Sequence, residues 1–87
     1  MENFMPKTTA QITADLQAIV NTTGASYPID RPVSWMRVRR AVGTYLRATF
    51  GYNYYVKVRA TREQRLAGII QVRALFAGED VSMTYHP

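Results

Sequence analysis

With 87 residues, no cysteine and a single histidine at position 86, the sequence excludes disulfides, cysteine-based zinc sites and a metal centre built from histidines. Its 11 basic and 6 acidic side chains leave a net charge of +5, which raises the expectation of an anionic partner. No run of about 18 apolar residues occurs, so no membrane span is expected.

One small domain over residues 1–87 is expected, with residues 1–7 and 86–87 flexible. So short a chain buries a modest core. Without disulfide or metal its remaining support is association, so a homo-oligomer or an obligate complex is expected. The stretch MENFMPKTTAQ lacks the charged start and apolar core of a signal peptide. A reducing, cytoplasmic setting is the expectation.

In chain order, the first helix signal is TTAQITADLQAIVNTTG. Thr8 and Gln11 have capping-box spacing. Ile12, Leu16, Ile19 and Val20 share one helical face, and Gly24 is the expected stop. ASYPIDRP follows as a loop. The second helix is expected from Ser34, as cap, to Phe50, with Val33 and Val38 at staple spacing and Gly51 as terminator. Trp35, Val38, Val42, Tyr45, Leu46 and Thr49 fall on one arc of it. Arg37, Arg40, Thr44 and Arg47 fall on the opposite arc.

Tyr54, Val56 and Val58 then alternate with Tyr55, Lys57 and Arg59, the period of a half-buried strand. Thr61 and Gln64 repeat the capping-box spacing and open a third helix, expected to run to Ala77 and to close at Gly78. Leu66, Ile69, Ile70, Val72, Phe76 and Ala77 give it a wide apolar arc that includes Arg73. Val81, Met83 and Tyr85 alternate with Ser82 and Thr84 as a second short strand. The expected class is α+β, mainly helical. It has three helices (about 8–23, 34–50 and 62–77) and two short strands (about 54–59 and 81–85), completed by oligomerisation.

Chemistry-bearing motifs are few. There is no Gly-rich phosphate loop, and a Ser-His-Asp triad would depend on His86 in the tail. Glu79 and Asp80 are adjacent carboxylates that fit a solvated turn. No enzymatic activity and no cofactor are expected. The charge is concentrated instead: residues 31–73 hold nine arginines and Lys57 against Glu63 alone. Arginine suits bidentate pairing with carboxylate or phosphate and stacks on rings. Arg37, Arg40 and Arg47 have no acidic residue three or four positions away. With Trp35, Tyr52 and Tyr55 they form the expected partner-binding set, since Arg and aromatic residues anchor interfaces. Arg73, a charge inside an apolar arc, either snorkels to the edge of the core or meets a carboxylate of another chain.

The segment RATFGYNYYVKVRATREQRLAGII resembles the helical carboxy-terminal module of temperate-phage regulatory proteins, antirepressors among them. That pattern is a basic helix ending in Phe-Gly, a Tyr, an aliphatic residue and then a Gln-containing helix. Phe50, Gly51, Tyr55 and Val58 match its spacing. Gln64 and LAGII match in type about two residues later, and the resemblance spans residues 33–76. The length is also similar to that of short standalone phage antirepressors. The resemblance implies a non-enzymatic protein of the bacterial cytoplasm that binds a repressor, releases it from operator DNA and favours lytic growth. The alternative is a small basic DNA-binding regulator, with the arginines of the second helix on phosphates and guanine edges.

Overall fold

In a computed structural model the described residues are 7–26 and 32–87, with the side chains described from Trp35 onward in the second segment. The elements are α1 (Thr9–Ser26), α2 (Pro32–Phe50), β1 (Tyr54–Arg59), α3 (Arg62–Leu66), β2 (Ile70–Phe76) and β3 (Glu79–Tyr85). The strands form one antiparallel sheet in the order β1-β2-β3. Both long helices lie on one face of it, α1 over β3 and α2 over β1. The α+β class read from the sequence is the class observed.

Local chemistry explains the element starts. The Thr8 amide donates to Gln11 Oε1 at 2.8 Å, and the Gln11 amide donates to Thr8 Oγ1 at 3.1 Å. The same reciprocal box opens α3: the Thr61 amide donates to Gln64 Oε1 at 2.9 Å and the Gln64 amide to Thr61 Oγ1 at 3.1 Å. α2 begins at Pro32, whose fixed φ suits a first helical turn. The cap expected of Ser34 and the staple expected of Val33 lie outside the described side chains. Gly51, at φ 67°, ends α2, and its amide reaches Arg47 O at 2.9 Å. α1 does not stop at Gly24 but continues to Ser26.

The third helix is the main correction. It ends at Leu66 instead of Ala77, and β2 replaces its second half. Gly68 at φ 77° turns the chain, and Ile70, Val72, Ala74 and Phe76 are buried in alternation with Gln71, Arg73 and Leu75. The apolar residues that fill a wide arc on a helical projection fit a period-two strand whose polar members face away. Leu66, expected in the core, is exposed. There are three strands, not two, and β3 begins at Glu79, so the adjacent carboxylates open a strand. The turn is Ala77–Gly78, both with positive φ (50° and 78°), a two-residue hairpin of type I′ geometry.

The core lies between helices and sheet. Leu16 and Val20 of α1, Val38, Val42 and Leu46 of α2, Ile70, Val72 and Ala74 of β2 and Met83 of β3 are its buried centre. Each fully buried Leu, Ile or Val contributes about 1.5–3 kcal/mol. Phe50, at the end of α2, stacks on Phe76 with ring centroids 5.1 Å apart, pinning that helix end over the sheet. Among the described residues, no buried side-chain nitrogen or oxygen lacks a partner and no helix is long and apolar enough to cross a membrane.

Candidate functional site

The sequence of α2 buries Val38, Val42 and Leu46 and so turns a second stripe along the outer side of β1. Met36, Arg39, Arg40, Gly43, Thr44 and Arg47 form this stripe. They face Tyr52, Tyr54, Tyr55 and Val56 across a groove of about 550 Å³. A smaller recess of about 250 Å³ adjoins it, sharing Met36, Arg39, Tyr55 and Val56 and adding Trp35, Lys57 and Val58.

Close approach makes the groove. Gly43 is buried in mid-helix, and a Cβ there would lie 3.3 Å from Tyr54 Oη. A larger residue would push the tyrosine off the helix. At one end, Arg47 lies over the Tyr52 ring, 4.4 Å from its centroid, and donates to the Tyr52 hydroxyl. Met36 is 60% exposed and Tyr55 50%, so apolar and aromatic surface stands beside the guanidinium groups.

No carboxylate lines either recess. Among the described residues the ion pairs are Lys7–Asp15 at 2.6 Å and Arg73–Asp80 at 2.5 Å, and neither reaches the groove. Asp15 also accepts from the Tyr45 hydroxyl at 2.6 Å. The Lys7 ammonium and then the Tyr45 hydroxyl hold its carboxyl below the ordinary range. Hydrogen bonds from Arg73 do the same for Asp80. These two acids are engaged on other surfaces, and among the described residues Arg39, Arg40 and Arg47 make no ion pair. Among the described residues no cluster of three or more His, Cys, Asp or Glu side chains could hold a metal ion.

Of the residues expected at a binding surface, the structure gathers Arg40, Arg47, Tyr52 and Tyr55 in the groove and Trp35 in the adjoining recess. Arg37 is exposed on α2 but does not line either one. Arg73 is not in an apolar arc at all. It stands on the uncovered face of the sheet, and its Nε and Nη2 bond the Asp80 carboxylate at 2.9 and 2.5 Å. The sequence reading missed Met36, Arg39 and Gly43. Their signal is a glycine in a helix interior, flanked at three- and four-residue spacing by arginines, with a methionine seven residues before it.

No protein-family model, no curated protein and no solved structure matches this chain. The geometry of the groove therefore carries the functional reading.

Proposed function

We propose that this chain is a non-catalytic binding module that captures an acidic protein surface in the groove between α2 and β1. One observation carries the reading: three guanidinium groups and three tyrosines converge there without a carboxylate among them. Guanidinium forks pair bidentately with carboxylates, and Tyr and Arg supply much of the energy at protein interfaces.

The resemblance of residues 33–76 supports a transcriptional repressor as that partner, and so an antirepressor of the bacterial cytoplasm. Its Gln-containing helix corresponds here to the short α3, with the remainder of the matched segment in β2. Release from operator DNA is then linkage. A ligand that prefers the DNA-free form of a repressor by about 1.4 kcal/mol weakens its apparent hold on the operator tenfold.

A second reading, a small basic DNA-binding regulator, places the arginines of α2 on phosphates and guanine edges, with Lys57 and Arg59 on the uncovered sheet face as further cations. One experiment separates the two. The chain and its Arg40→Glu/Arg47→Glu variant are titrated against a candidate phage repressor, with and without its operator duplex, at several salt concentrations. The expected result is binding without DNA and loss of operator complex, both absent in the folded double variant. Direct binding of the chain to duplex, falling log-linearly with salt, would replace this reading with the second.

A further inference from the structure

The two edges of the sheet are treated differently. The flanking pair of a two-residue hairpin turn exchanges both of its backbone hydrogen bonds, so Phe76 and Glu79 bond each other. Alternation along β2 then sends the backbone groups of Leu75, Arg73 and Gln71 to β1, where they meet Tyr55, Lys57 and Arg59. The amide and carbonyl groups of Tyr54, Val56 and Val58 are left pointing outward. On β3 the same alternation turns Asp80, Ser82 and Thr84 outward. An independent contact agrees with this register. The Gln17 carboxamide donates to Thr84 O at 2.8 Å and accepts from Thr84 N at 3.3 Å, taking the place of a neighbouring strand.

The β3 edge is thus closed at Thr84 by a side chain of α1, whereas β1 has no such cover. Among the described residues nothing bonds the outward backbone groups of Tyr54, Val56 or Val58. Val56 is buried, at 4% exposed, and its outward amide and carbonyl have no partner within the described chain. Val56 lines both recesses, together with Met36 and Arg39.

We infer that β1 receives an extended acidic segment of the partner protein, which adds to the sheet as a fourth strand; this rests on the groove reading proposed above. Charge decides the occupant. On the helix side the incoming strand meets Arg39, Arg40 and Arg47, with no acid lining either recess, and on the open side the exposed Lys57 and Arg59 of β1 itself. A second copy fits poorly. Pairing β1 with its own equivalent brings the same cations together, and pairing it with β3 collides with Gln17 at Thr84. Side chains of a strand alternate between faces, so carboxylates two residues apart would all face α2.

The probe is a capped peptide alternating Glu and Val, compared with the same peptide N-methylated at alternate residues. Binding is read by titration calorimetry, and amide hydrogen exchange is followed residue by residue. The unmodified peptide is expected to bind and to slow exchange at Tyr54, Val56 and Val58 by about tenfold or more, while Tyr55, Lys57 and Arg59, already paired with β2, stay unchanged. N-methylation and Val58→Pro, which removes an outward N–H while leaving the β2 ladder intact, should each abolish binding. If Arg39→Glu/Arg40→Glu abolishes binding but N-methylation and β1 exchange have no effect, strand addition is overturned and the groove reading stands. If no acidic peptide binds, both fall. Concentration-dependent protection of the β1 edge without peptide would make a second copy the occupant and overturn the acidic one.

Discussion

Gly24 of α1 lies directly against the ring of Tyr85 on β3: a Cβ added at Gly24 would come within 2.5 Å of Tyr85 Cδ1. The glycine is buried inside the helix and does not terminate it, so its role is to let α1 approach the sheet. Alanine would normally favour a helix by up to about 1 kcal/mol over glycine. Here that gain is outweighed by overpacking, which costs about 1–3 kcal/mol. Gly24→Ala should therefore destabilise the fold by about 1–2 kcal/mol in urea titration. Adding Tyr85→Leu should recover part of the loss, because the two sites are in contact. A Gly24→Ala protein as stable as the parent would mean that α1 and β3 are not packed this closely.

The β2–β3 turn contains a mismatch of the opposite kind. Ala77 holds φ 50°, a left-handed conformation that costs an L-residue with a Cβ about 1–2 kcal/mol. Gly78 already supplies the second left-handed position, and Asn-Gly is a favoured pair for this turn. Ala77→Asn should stabilise the fold by about 1 kcal/mol, and for a domain of this size that raises Tm by about 4–8 °C. Calorimetry of the single variant is sufficient. A lower Tm would show that the turn is not of this type.

The same turn explains where the sequence was legible and where it was not. Both capping boxes, the face formed by Ile12, Leu16 and Val20, the Gly51 stop and the alternation of Tyr54, Val56 and Val58 are local signals, and the fold realises each of them. Gly68 is the one local break signal in residues 66–77, and the helical arc reads through it. Ala-Gly is not a marked turn pair, and Ile69, Ile70 and Val72 fill a helical arc as readily as a strand face. What decides them is non-local: β1 and β3 pair on both sides of β2, and Arg73 finds Asp80 across the strand. The site divides in the same way. Arg40, Arg47, Tyr52 and Tyr55 stand out as unpaired cations and rings in the sequence. Met36, Arg39 and Gly43 become meaningful only once α2 is known to lie against β1.

Acid should weaken the fold through two carboxylates. Asp15 is held below its ordinary value first by the hydrogen bond from Lys7 and then by that from Tyr45, and Asp80 by the hydrogen bond from Arg73. A carboxyl whose folded value is depressed binds its proton more readily when unfolded. Its contribution is fully present above the unfolded value of about 4 and is lost as the pH falls through the lower folded value. Stability should be level between about pH 5 and 7 and decline below about pH 4. Both pairs are solvent-accessible, so the decline should be modest and smaller at high salt. The alkaline limb has the reverse sign. Burial, followed by Asp15, raises the Tyr45 phenol, so its contribution is present below about pH 10 and is lost above the raised folded value. Melting temperatures of the parent and of Asp15→Asn/Asp80→Asn, measured from acid to neutral pH, test the assignment. The variant should start lower at neutral pH and show a shallower acid slope. Parallel slopes would place the acid sensitivity in other carboxyl groups.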